Sequence, residues 1–84
     1  MKLERKRVRV DELEALALGE LRKNPWCQGA TRVFIAPRPD IHPVTGAYWA
    51  PTRIHAGVSA MEACRRELWR VCERLGRHYE LASE

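Results

Sequence analysis

Three cysteines and three histidines are the side chains here that could hold a metal or act as nucleophiles, and their spacing argues against both. Cys64 and Cys72 lie eight positions apart within one predicted helix. At 1.5 Å per residue that is about 12 Å, too far for one shared ion or one disulfide. Both fall in an apolar stripe, where a thiol behaves as a small hydrophobe. Asp40 and His42 in a loop and His55 on a strand have no spacing that requires them to meet. Cys27 stands outside any helical stripe. A nucleophile there needs a depressed pKa, which the C-terminal end of the preceding helix opposes while Arg22 and Lys23 partly offset it. No nucleophile elbow, phosphate-binding glycine loop or pair of catalytic carboxylates is present. The expectation is a chain with no catalytic residue, no metal and no cofactor.

Binding chemistry is better represented. The net charge of +4 is concentrated in residues 1–10, where Lys2, Arg5, Lys6, Arg7 and Arg9 face only Glu4, while residues 11–84 carry ten basic and ten acidic side chains. A basic N-terminal arm on a neutral body can meet phosphate, an acidic partner or water alone. Arg66, Arg70, Arg74 and Arg77 form one helical stripe, which either receives an anionic ligand or is a solvated face paired through Glu62–Arg66 and Glu73–Arg77. Arg32 and Phe34 share one side of a predicted strand, and Trp49, Arg53 and His55 share one side of the next. Trp69 lies off the apolar stripe beside Arg65 and Gly76, either covering a sheet edge or anchoring a partner. Trp26 reads as a lid on the end of the first helix.

These residues need a scaffold, and 84 residues allow one compact core. Asp11 and Glu14 have the spacing of a capping box, with Val10 and Ala15 as its staple, so a helix is expected over about residues 12–23. Leu13, Leu16, Ala17 and Leu21 form its apolar face. Gly19 within it reads as a close approach to another element, and Asn24-Pro25 ends it. Ala30–Ala36 and Tyr48–Ala56 are β-branched and aromatic strand runs, joined by a proline-rich loop. Pro51 in the second points to an edge or a bulge. Ser59 and Glu62 repeat the capping box with Val58 and Ala63, opening a second helix near Ala60. Met61, Cys64, Leu68, Val71, Cys72, Leu75 and Tyr79 then recur as the clearest periodic stripe.

The expected fold is therefore α/β (α+β), a two-layer α-β-β-α sandwich with both helices on one face of a small antiparallel sheet. It reads as one domain over residues 11–84 preceded by the arm at 1–10. A lone hairpin is marginal. Either the termini add strands, through Val8 and Val10 or through Leu81–Glu84, or a second chain completes the sheet.

Glu20-Leu21-Arg22-Lys23-Asn24-Pro25-Trp26-Cys27, Thr31-Arg32-Val33, Trp49, Ala56-Gly57 and Tyr79-Glu80-Leu81 together resemble a pattern found in a group of short uncharacterised proteobacterial proteins. The resemblance covers most of the body and leaves out the arm and the proline loop. Tyr48 stands where the group often has Asn. The shared positions look like fold determinants, and the group carries no activity to transfer.

The resulting expectation is a small bacterial, cytoplasmic, non-catalytic module. It would associate with itself as a homodimer, or with a protein partner, through Arg32, Phe34, Trp49, Arg53 and Trp69. The alternative is a nucleic-acid-binding module using Arg5, Lys6, Arg7 and Arg9 with the stripe Arg66, Arg70, Arg74 and Arg77. No apolar run reaches the ~20 residues of a membrane span, the N-terminal residues lack a secretory apolar region, and an odd number of cysteines makes reduced thiols the default.

Overall fold

Apolar residues three and four apart fold as helices against a short hairpin in the computed structural model, which describes residues 5–43, 45–57 and 61–82. The order is β1 (Lys6–Val8), α1 (Val10–Leu21), a 3-10 turn (Pro25–Cys27), β2 (Arg32–Pro37), β3 (Trp49–His55), α2 (Met61–His78) and β4 (Tyr79–Leu81). Helix and strand are mixed, but the strands form two separate two-stranded sheets rather than one. β2 and β3 pair antiparallel. β1 and β4 pair parallel, with Lys6 opposite Tyr79 and Val8 opposite Leu81. The terminal segments add strands to each other and not to the hairpin, and of the residues expected there Val8 and Leu81 take part, Val10 instead opens α1, Ala82 lies past the end of β4, and residues 83–84 fall outside the described residues. No helix among the described residues is long and apolar enough to cross a membrane.

α1 occupies Val10–Leu21 in place of 12–23, and Asp11 is not its cap. Arg9 takes the N-cap position in extended backbone without a side-chain cap bond. Asp11 lies in the first turn, where its charge suits the helix end, and pairs with Arg9 at 3.5 Å. Glu14 reaches across instead to accept a hydrogen bond from the Ile35 amide at 2.8 Å, on the edge of β2 that β3 leaves open. Leu13, Ala17 and Leu21 are fully buried, whereas Leu16 turns outward. Gly19 marks no close approach, because nothing lies within 4 Å of where its Cβ would be. The Asn24 side chain accepts from the Trp26 amide at 2.9 Å and so caps the 3-10 turn that follows α1. Trp26 is no lid, being 71% exposed.

α2 buries Cys64, Leu68, Val71 and Cys72. The expected stripe is shorter at both ends: Met61 is exposed, and Tyr79 leaves the helix as the first residue of β4. The cap and staple expected at Ser59 and Val58 lie outside the described residues.

The two hairpin strands bury Val33, Ile35, Trp49 and Ile54. Strict alternation would put Trp49 on the side opposite Ile54. The ladder runs Phe34 to Arg53 and then Ile35 to Pro51, skipping Thr52. One extra residue in a strand reverses the side on which everything beyond it points. Trp49 therefore joins Ile54 in the core at 2% exposure, with its indole N–H donating to the Tyr79 carbonyl at 3.0 Å. Placing Trp49 on the outer face beside Phe34 is thereby corrected.

Two long-range ties complete the scaffold. Cys27 and Cys64 form a disulfide with a Cα–Cα separation of 5.6 Å, joining the 3-10 turn to α2, and Cys72 is free and buried. The expectation of reduced thiols is overturned for this pair, because the two cysteines are remote in sequence and only the packing of the 3-10 turn against α2 brings them together. Arg5 is the other tie. Its guanidinium donates to the carbonyl of Thr45, and its Nε to that of Gly76 at 2.8 Å. The basic arm is thus anchored at Arg5 and continues as β1.

Candidate functional site

The outer face of the hairpin is built from cross-strand neighbours, Arg32 opposite His55 and Phe34 opposite Arg53. Each pair stands on the side of its strand away from Val33 and Ile54. The Arg32 guanidinium lies over the Phe34 ring at 4.5 Å from its centroid, and the His55 ring meets Phe34 edge-on at 5.2 Å. Phe34 is half-buried by these neighbours, while Arg32, Arg53 and His55 are exposed. Neither β2 nor β3 contains an Asp or Glu. The face is cationic around a single aromatic ring.

Arg53 also reaches a second feature. An open groove of about 340 Å³ runs between β3 and α2, lined by Pro51, Thr52, Arg53, Arg65, Leu68 and Trp69 among others, with no carboxylate in its lining. Trp69, one of its walls, is 43% exposed overall. Behind it the His42 ring lies at 6.1 Å, tilted by 43°, and the gap on that side holds only about 10 Å³. The indole is a wall with an open front and a closed back. His42 is buried beneath it while His55 belongs to the outer face, so the two histidines are not brought together. Among the described residues no group of three His, Cys, Asp or Glu is placed to hold a metal ion.

The predicted partner set is therefore divided. Arg32, Phe34, Arg53 and Trp69 lie at or near one continuous surface; Trp49 is core. The nucleic-acid set is divided as well. Arg5 is committed to the Thr45 and Gly76 carbonyls. Lys6 and Arg7 are exposed on β1, and Arg9 pairs with Asp11. Arg66, Arg70, Arg74 and Arg77 are all exposed on α2, on the side opposite its buried residues. The ion pair on that helix joins Arg70 to Glu67 at 3.9 Å, and the expected Glu62–Arg66 and Glu73–Arg77 pairs are not formed among the described residues.

Arg65 enters the site without having been singled out for it. Its spacing of four from Trp69 was the available signal, since residues at i and i+4 share a helix face. Thr52 and the groove had no such signal, because both follow from the bulge. Cys27 holds no nucleophilic thiol while bonded to Cys64. Comparison with known proteins gave no matching family, no similar curated protein and no similar solved structure.

Proposed function

We propose that the protein is a non-catalytic module that binds single-stranded nucleic acid on the outer face of its hairpin. One observation carries the reading: Arg32, Arg53 and His55 surround Phe34 on a face whose strands contain no carboxylate. Sheet surfaces that pair an aromatic ring with cations suit an extended anionic strand, whose phosphates meet the cations while its bases find π-faces. A homodimer or protein partner through this face is supported less, because withdrawal of Trp49 leaves Phe34 as the one large hydrophobic ring on the hairpin itself, half-buried beneath Arg32. A stable protein interface buries an apolar core, and one half-buried ring between two arginines supplies little of it. The bacterial, cytoplasmic setting, the two-layer sandwich arrangement and the kinship with the proteobacterial group are parts of the same proposal.

The test is fluorescence anisotropy with a labelled single strand of about twenty nucleotides across a salt series, with solution mass followed in parallel. Binding should weaken with salt, log K falling by about 0.7 per phosphate neutralised for each unit of log salt. Arg32→Glu and Arg53→Glu should each weaken it about tenfold, by removing a favourable charge and adding a repulsive one. A salt-resistant dimer that ignores the oligonucleotide would overturn the reading in favour of self-association.

A further inference from the structure

We propose that the groove between β3 and α2 is a pocket for one unpaired nucleobase, stacked on Trp69 with its flanking phosphates on Arg53 and Arg65. The inference rests on the reading of the outer face as a strand-binding surface and adds to it the place where a base is taken out of the strand. A stacking platform needs one open aromatic face and a support that stops the ring from turning away. Trp69 has both. The residue is 43% exposed and lines the groove, and on its other side the buried His42 ring lies at 6.1 Å across a gap of only about 10 Å³, too small for the indole to enter.

The groove suits a base in its other walls too. Pro51, Ile54 and Leu68 supply apolar surface, and about 340 Å³ is room for a single planar ring system with its sugar. Arg53 and Arg65 are the charged groups of its lining, which no carboxylate opposes, so the occupant is anionic. Arg53 is also the cross-strand partner of Phe34. A strand lying on the hairpin face therefore passes to the groove over one shared cation. Bases locked in a duplex are stacked and paired, so entry requires a single strand.

The test uses three probes of one length: oligothymidylate, the same backbone with abasic sites throughout, and a duplex. Tryptophan emission is read in a Trp26→Phe background, which removes the most exposed indole and leaves Trp69 to report, Trp49 being sealed in the core. Oligothymidylate should quench the emission and the duplex should not. Trp69→Ala should weaken oligothymidylate binding about tenfold, as loss of one stacked base does, and leave the abasic backbone unchanged. Trp69→Phe should recover part of the loss, and far-UV circular dichroism should match the parent chain.

Equal weakening of the abasic probe would make Trp69 merely structural and overturn the pocket. Unchanged oligothymidylate binding by Trp69→Ala, with Arg32→Glu still defective, would overturn the pocket and leave the outer-face reading intact. No binding of oligothymidylate by the parent chain at low salt would overturn both.

Discussion

Gly19 and Gly76 are helical glycines in opposite surroundings. A Cβ on Gly76 would come within 2.8 Å of the Thr45 Cβ, whereas one on Gly19 meets nothing within 4 Å. Gly76→Ala should therefore cost about 2 kcal/mol through overpacking, and Gly19→Ala should gain about 0.8 kcal/mol from helix propensity alone; urea unfolding of the two variants checks both signs. A glycine's sequence neighbours report none of this, since Gly76 is constrained by a loop far from it in the chain. Cys72 adds a pH dependence. Burial pushes its thiol from 9.0 up to about 12. The folded chain then holds the proton more tightly than the unfolded one, so this contribution is complete below pH ~9 and is lost as pH climbs from ~9 toward ~12, at about 1.4 kcal/mol per pH unit. Stability measured from pH 8 to 10 should bend downward above 9, and Cys72→Ala, though less stable at neutral pH, should bend less.

At the scale of elements, the hairpin is protected by a side chain that local pattern assigned elsewhere. Glu14 belongs to a capping-box spacing, yet its carboxylate closes the edge of β2 by accepting from the Ile35 amide. Edge strands left open template pairing with other chains. Glu14→Ala should lower stability by about 1.5 kcal/mol, the worth of a hydrogen bond to a charged group, and should raise the tendency to aggregate; urea midpoints and light scattering on warming read the two effects. α2 was legible because its apolar stripe is a property of one continuous segment. β3 was legible only in part. Pro51 pointed to an edge or a bulge without choosing between them, and which residue the ladder skips is decided by packing between strands; that choice sent Trp49 to the core and opened the groove beside Trp69. Arg32, Phe34 and Arg53 stand on the side that strict alternation assigns them because they lie on the near side of the skipped Thr52.

For the whole molecule, the ties that mattered join residues remote in sequence, and periodicity does not register them. Arg5 reaches Thr45 and Gly76, and Cys27 reaches Cys64 across a separation of 37 residues. Closing a loop of that length removes unfolded-state entropy equivalent to about 4 kcal/mol. Reduction, or replacement of both cysteines by Ala, should lower the melting temperature by about 20 °C on the scaling for a domain of this size, measurable by calorimetry with and without reductant. In a reducing compartment the chain would have to stand on its core without that contribution.

The parallel pairing of β1 with β4 has a consequence in time. Among the described elements β1 leaves the ribosome first and β4 last, so Lys6–Val8 waits through the synthesis of everything between before its partner exists. Three residue pairs spanning nearly the whole described chain return little until the helices and hairpin have already brought them close. This small sheet should therefore be the last part to close on the way in and the first to open on the way out.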